Sequence, residues 1–192
     1  MFSDNSKAAD SVGSALTAAV SAVDSLGAKG RYMVQCHDEQ GNLKWETEVE
    51  DNLVVNVGLQ DMNTKYFTGS SYSATWYLGL ITGPGVTTSA TDTMASHGFT
   101  EFTGYSQANR VTCSFGSATS ANPSVISNSG SPAAFSITST GTIGGAFLAS
   151  NNTKGGTTGI LFSEKAFSSP GDRSVVNGDT LTVTYTFSLT AT

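Results

Sequence analysis

The stretch DTLTVTYTFSL, residues 179–189, decides the fold class of this chain. Apolar and hydroxyl side chains alternate along it from Leu181 onward. A strict alternation is typical of a β-strand with one face in a dry core and the other face in water. The sequence therefore predicts a β scaffold whose wet surface carries hydroxyl groups. The predicted inward positions are Leu181, Val183, Tyr185, Phe187 and Leu189.

Other short strands recur along the chain, separated by turns rich in Gly and Ser. This pattern predicts an all-β domain, either a β-sandwich or a barrel-like fold. A chain of 192 residues buries roughly 70% of its unfolded surface, which is enough for one core without metal or disulfide staples. An irregular stretch at residues 83–110 interrupts the series. The further predicted strands cover residues 111–115, 134–138, 142–148 and 159–162.

Residues 31–49 have the pattern of a β-hairpin with a turn at residues 39–42. On its second strand Trp45 shares the parity of apolar neighbours, so we expect it to point to the core. Acids two residues apart on a strand stand about 7 Å from each other and do not converge on a calcium ion. Charge on an exposed or edge strand, which discourages sheet-to-sheet aggregation, is the preferred interpretation. The outward row consists of Lys44, Glu46, Glu48 and Glu50.

One short helix is predicted inside the domain, over residues 57–67 with Asn56 as its N-cap. The stretch ATWYLGLI, residues 74–81, is apolar on both parities, which is typical of a strand covered on both faces. We therefore place this strand at the centre of the fold, with the helix over one face. The side of the helix expected to pack consists of Leu59, Met62 and Tyr66.

Residues 1–29 differ in pattern from residues 30–192, which we expect to form the β domain. Over residues 11–26 apolar side chains recur at helical spacing in an Ala-rich background, which predicts a weak amphipathic helix. An isolated helix of this length is marginal in water, so it requires a docking surface. Two alternatives remain for this helix: it packs on its own domain, or it reaches a neighbouring subunit as an arm. The predicted partner-binding positions are Val12, Leu16, Val20 and Val23.

Composition argues against several classes of partner. Charged residues make up 12% of the chain, about half the usual share of about 25%, whereas Ser and Thr number 27 and 26. A net charge of −6 with nine scattered Lys and Arg argues against nucleic acid. No apolar run reaches the ~20 residues that cross a bilayer, and the first residues lack the pattern of an export signal. We expect a protein made and kept in the cytoplasm, with no membrane partner.

Residues suited to catalysis or metal binding are scarce. The candidate catalytic bases are His37, which lies beside Asp38, and His97, which lies near Asp92. The chain has no Ser in a G-x-S-x-G elbow to act as the nucleophile with either of them. Cys36 and Cys113 lack the paired spacing of zinc ligands and are expected as buried thiols rather than as a disulfide. The sequence does not exclude a glycosidase-type pair of carboxylates, since 15 acidic residues form many pairs by chance. The sequence predicts a non-enzymatic protein with no catalytic, cofactor-binding or metal-binding residue.

Several stretches, in this order along the chain, resemble a family of bacteriophage virion structural proteins. Members are small, are made without signal peptides, and tend to be encoded among phage head and tail genes. The resemblance covers about residues 50–190 and implies a virion role, without assigning a function to any residue. The stretches are NLVVNVGLQDM at 52–62, TWYLGLI at 75–81, DTMASHGFTEFTGYS at 92–106, GGAFLAS at 144–150, GILFSEKAF at 159–167 and VVNGDTLTVTYTFSL at 175–189.

Within that family the preferred interpretation is a head decoration, or cement, protein on the outer surface of the capsid. Such a subunit bridges capsomers and stabilises the assembled head by its binding free energy. The expected partners are the major capsid protein and further copies of this chain. The runner-up is a tail or fibre component that binds the host surface or glycans. Outside the virion, the alternative is a small carbohydrate-binding or hydrolytic β-domain.

Overall fold

A computed structural model describes residues 26–69, 75–167 and 171–191 of the chain. In these residues two antiparallel sheets face each other with one helix beside them, which confirms the predicted all-β, sandwich-like class. No helix in these ranges is long and apolar enough to cross a membrane. The elements are β1 Leu26–His37, β2 Leu43–Val49, β3 Leu53–Val54, α1 Asn56–Thr68, β4 Trp76–Thr82, β5 Glu101–Phe102, β6 Val111–Cys113, β7 Ser124–Ser127, β8 Ala133–Ser136, β9 Gly141–Ala149, β10 Leu161–Ala166, β11 Arg173–Val175 and β12 Thr180–Ala191.

The first sheet is built around β12, the strand whose alternation was predicted. It runs in the order β2-β1-β12-β7, and β8 also pairs with β12. Because β1 pairs along the whole length of β12, β7 and β8 lie end to end on its other side. Asn128 fills the gap between them: its side chain accepts from the backbone N–H of Tyr185 and donates to the carbonyl of Val183. Leu181, Val183 and Tyr185 are fully buried, as predicted.

The second sheet runs in the order β3-β10-β9-β4-β5, with β11 pairing β9 and β6 pairing β4. The predicted central position of β4 is confirmed, because β9 pairs on one side of it and β5 and β6 on the other. Gly79 of β4 stands opposite Phe147 of β9, whose ring occupies the space of the missing side chain: a Cβ at Gly79 would lie 2.2 Å from it. Only glycine fits this central position.

Two apolar layers cover the faces of β4, as its double-sided pattern predicted. Between the sheets, Leu78 and Leu80 pack with inward side chains of β1 and β12. On the opposite face, Ile81 packs with Phe147, and Met94 and Phe99 of the irregular stretch cover them. This stretch therefore supplies the second layer over the sheet, together with Val55 and Val57 at the start of α1.

The hairpin of β1 and β2 forms as predicted, with register Tyr32 to Val49 at one end and His37 to Leu43 at the other. The Asn42 side chain donates to the Asp38 carboxylate, and backbone N–H groups of the turn donate to it as well; these hydrogen bonds lower the pKa of this carboxyl. Glu46 and Glu48 are exposed on β2, the edge strand of the first sheet, as predicted. Trp45 is half-buried and donates through Nε1 to the carbonyl of Ser174.

The start of the β domain differs from the prediction. The first strand begins at Leu26 rather than at residue 31, because β12 extends to Ala191 and residues 26–29 pair with it. The segment expected to be separate from the β domain therefore gives its last four residues to the sheet. Its remaining residues, 1–25, lie outside the described ranges.

The helix exists, but its cap and its packed face differ from the prediction. Asn56 is already helical; Val55 is the N-cap residue and no side chain caps this end. Of the three residues predicted to pack, Met62 is partly buried against the core, whereas Leu59 and Tyr66 are exposed. The buried residue is Gly58, because α1 lies against the backbone of Phe162. A Cβ at Gly58 would lie 2.6 Å from the carbonyl oxygen of that residue. Close approach of two backbones, and not an apolar stripe, therefore sets the orientation of the helix.

A buried hydrogen-bond cluster links the two sheets through their facing sides. The hydroxyl oxygens of Tyr32 on β1 and Ser163 on β10 lie 2.7 Å apart, and Ser163 also donates to the hydroxyl of Tyr185, at 3.3 Å. Asn52 donates to the same Tyr185 hydroxyl at 3.2 Å. Burial raises the pKa of Tyr185 to about 12, so this hydroxyl stays protonated at neutral pH. A β-bulge at residues 161–163 of β10 turns Ser163 toward the sandwich interior.

Replacing Ser163 by Ala leaves the two tyrosine hydroxyls without their shared partner in a dry core. Tyr32 still donates to the Ser163 carbonyl and Asn52 still donates to the Tyr185 hydroxyl. We therefore expect Ser163→Ala to lower the free energy of unfolding by about 1–2 kcal/mol, the net contribution of the two hydrogen bonds that are lost. Chemical denaturation of the purified protein measures this change. Ser174→Ala, on an exposed position of β11, is the control and should stay within about 0.5 kcal/mol. Equal effects of the two substitutions would contradict a linking role for the cluster.

Candidate functional site

The two histidines lie apart and neither is set up as a base. His37 is partly exposed on the outward face of β1, whereas Cys36 is buried on the inward face, as predicted. His97 stacks on Phe99, with ring centroids 3.8 Å apart, and its Nδ1 is buried without a hydrogen-bond partner. Among the described residues, no group of three or more His, Cys, Asp or Glu side chains is arranged to hold a metal ion.

Both cysteines are free buried thiols, as the sequence predicted. Burial raises the pKa of Cys113 to about 12. Burial, together with the nearby Asp179 carboxylate, does the same for Cys36. The thiolate is the nucleophilic form of cysteine, so neither side chain is activated at neutral pH.

A buried ion pair between Arg110 and Glu101 holds loops together. Arg110 is 3% exposed and donates to both carboxylate oxygens of Glu101. The same guanidinium donates to the carbonyls of Asn151 and Gly156. The remaining N–H groups of Arg110 are therefore bonded to the loop between β9 and β10, and the Glu101 carboxylate neutralises the charge of the guanidinium. This pair fixes the end of the irregular stretch and leaves no room for a substrate carboxylate.

A second buried carboxyl, Glu164 on β10, fastens the middle of the irregular stretch. Its Oε1 accepts from the backbone N–H of Ser89 at 3.0 Å, and the Asp92 carboxylate accepts from the same N–H at 3.1 Å. Burial raises the pKa of Glu164 to about 8, and the hydrogen bond and charge of Asp92 add to this rise. Near neutral pH Glu164 therefore keeps a proton, which suits a carboxyl that shares one N–H with a second acid.

The raised pKa of Glu164 makes the fold pH-dependent. Between about pH 4.5 and 8 the unfolded chain has released this proton and the folded chain still holds it, so stability falls as pH rises, by at most about 1.4 kcal/mol per pH unit. Glu164→Gln mimics the protonated form, so we expect it to flatten the dependence and to make the protein more stable than wild type above pH 8. Denaturant melts from pH 5 to 9 measure this. Glu50→Gln, at an exposed position, should keep the wild-type slope, and a wild-type slope in Glu164→Gln would be contrary to this account.

An open apolar groove lies at one end of the sandwich, between α1 and the ends of both sheets. Its volume is about 900 Å³. The three most exposed large hydrophobic side chains of the described residues all line it: Tyr66 is 83% exposed, Phe67 77% and Leu26 70%. An apolar surface of this kind usually marks a place where another polypeptide or ligand binds. The deeper aromatic lining consists of Trp76, Phe115, Phe162, Tyr185 and Phe187.

The outward side of the first sheet forms a second extended surface, which we call the hydroxyl face. It is centred on the outward residues of β12, namely Thr182, Thr184, Thr186 and Ser188. The half of this face around Thr182 and Thr184 carries no charge, since Gln35 and Met33 stand opposite them on β1. Basic side chains flank the other half, where Arg31 stands opposite Thr186 and Lys29 opposite Ser188. Arg31 of β1 forms an ion pair at 2.6 Å with Glu48 of β2, the edge strand.

The sequence predicted the hydroxyl face but not the groove. The alternation of apolar and hydroxyl side chains along β12 predicts a solvent-exposed face without information from other elements. The groove combines residues from α1, β4, β6, β10 and β12 with Leu26, and no local pattern reveals that these meet. The adjacent aromatics Tyr66 and Phe67 near the end of α1 were the one local signal. The predicted partner-binding residues Val12, Leu16, Val20 and Val23 lie outside the described ranges.

Comparison with known proteins returns no relative. No family model matches the chain, no curated protein matches it, and no solved structure matches it. The virion role that the sequence resemblance suggests therefore stays a hypothesis.

Proposed function

We propose that this protein is a non-enzymatic phage virion structural protein that decorates the outer surface of the capsid and stabilises the head by bridging capsomers. The single structural observation that supports the proposal best is the hydroxyl face, a broad β surface whose half around Thr182 and Thr184 is uncharged. The sequence resemblance over about residues 50–190 supports the virion setting. The major capsid protein is the proposed partner, and neighbouring copies of the chain are a further one.

The size of the hydroxyl face suits a stable protein–protein contact. Its central strands β1 and β12 have 12 residues each, or roughly 40 Å at about 3.3 Å per residue. Four strands side by side at about 4.8 Å span roughly 19 Å. Because β2 has only seven residues and β7 and β8 four each, the resulting area is roughly 600 Å². That is at the lower end of the roughly 600–1,000 Å² that each partner contributes to a standard interface.

The chemistry of the hydroxyl face suits tight packing among other proteins. The cores of protein interfaces are depleted in charge, because a buried charge must lose its hydration. Hydroxyl groups form hydrogen bonds in any direction that the partner offers. A contact through the uncharged half of this face would also be little affected by salt, which screens charged contacts strongly.

The rigidity of the hydroxyl face lowers the entropy lost on binding. β12 is paired along both sides, and its inward residues Val183 and Tyr185 are fully buried. A preorganised surface orders few groups when it binds, so more of the contact energy appears as affinity. Many copies that each add a modest binding free energy stabilise the assembled head over its separate parts.

The test is binding of purified protein to heads that lack it. Thr184→Arg places a charge at the centre of the hydroxyl face without touching the core, so we expect the head-bound fraction at limiting concentration to fall at least tenfold. Sedimentation of heads followed by quantitative mass spectrometry measures it. Thr158→Arg, at an exposed position of the β9–β10 loop, is the matched control and should bind like wild type.

The same mass spectrometry distinguishes the head from the tail. Hundreds of copies per particle are expected for decoration, whereas a fibre or tail component is present in a few to a few dozen copies. Unchanged binding by Thr184→Arg, or absence of the polypeptide from purified particles, would contradict the proposal. Turnover of a glycan substrate, abolished by changing a single carboxylate, would overturn the non-enzymatic part of it.

A further inference from the structure

We infer that the apolar groove is the docking site of this chain's own residues 12–23, which bind it in cis. This inference goes beyond the virion role and does not depend on it. It decides between the two alternatives that the sequence left open for Val12, Leu16, Val20 and Val23, in favour of packing on the same domain.

The position of Leu26 is the first argument. Leu26 opens β1, pairs with Ala191 and lines the groove at 70% exposure. The chain that precedes it therefore enters at the rim of the groove. Only Asp24 and Ser25 separate Leu26 from Val23. A connection this short keeps the segment at a high effective concentration beside its own groove, of millimolar order for short linkers, and disfavours the groove of another copy.

The chemistry of the segment is the second argument. Residues 11–23, SVGSALTAAVSAV, carry no charged side chain, and the run is bounded by Asp10 and Asp24. Its burial would therefore remove no charge from water. The surrounding sequence is not uniformly neutral, since Asp4 and Lys7 precede the run. The neutral stretch thus coincides with the stretch predicted to be helical.

The dimensions are the third argument. Val12, Leu16, Val20 and Val23 are spaced by four, four and three residues, so on a helix they form one stripe. Twelve helical residues are about 18 Å long. A groove of about 900 Å³ is large enough to receive such a stripe of small side chains. The exposed rings of Tyr66 and Phe67 at its rim would flank the helix.

The experiment uses the full-length protein and measures hydrogen exchange by mass spectrometry. In wild type we expect the amides of residues 12–23 to exchange at least about tenfold more slowly than in an unstructured peptide of the same sequence. In L16D/V20D, which charges the apolar stripe, this protection should be lost, and exchange in α1 should rise. Because the segment is proposed to bind in cis, L16D/V20D and wild type should have the same mass by light scattering.

A matched control charges the opposite side of the same helix. Ser14 and Ser21 lie across the helix from the stripe, so S14D/S21D should keep the wild-type protection. Phe67→Ser, on the groove side, should lower protection of residues 12–23 while leaving exchange in the central strands unchanged. That last measurement separates loss of docking from loss of folding.

Three results would overturn the inference. Residues 12–23 that exchange like the free peptide in wild type would mean that the groove is left for the capsid or another ligand. Protection that rises with protein concentration, together with a dimer that L16D/V20D dissociates, would mean that the segment binds a second copy. Equal protection in wild type and L16D/V20D would mean that the apolar stripe is not what docks.

Discussion

The antiparallel pairing of β1 with β12 is the constraint on which the rest of the structure depends. These are the first and last strands of the described chain, and all twelve residues of β1 find partners in β12. Since β12 is paired again on its other side by β7 and β8, it is fixed at the centre of the first sheet. Its inward side chains then form half of the sandwich core, and its outward hydroxyls form the surface proposed to contact the capsid. The same pairing sets Leu26 at the rim of the apolar groove.

Features that depend on the residues of one strand alone could be predicted from the sequence. The alternation along β12 assigns both of its faces, and the burial of Leu181, Val183 and Tyr185 follows it. The double-sided apolar pattern of β4 indicates a central strand for the same reason, and the two apolar layers of the structure cover it. In the hairpin, parity separates the buried Cys36 from His37. These predictions hold because side-chain direction in a strand depends only on the local backbone.

Features that depend on distant partners could not be predicted. The orientation of α1 is set by contact between Gly58 and the backbone of Phe162, far along the chain, so the apolar spacing of Leu59 and Tyr66 was misleading. Glu164 is buried because the irregular stretch folds over it, and the bulge in β10 shifts the parity just before it. Neither local propensity nor periodicity indicates which distant residues come into contact. The groove belongs to the same class, since its walls come from separate parts of the chain.

The central claim is that this protein functions by fitting against other proteins on a shell rather than by converting a substrate. A high-resolution reconstruction of the intact phage particle by cryo-electron microscopy tests it most directly. The account predicts density for the two-sheet domain repeated over the outside of the head, with the outward threonines of β12 turned toward the major capsid protein. Density for this domain only in the tail, or in no part of the particle, would contradict the account.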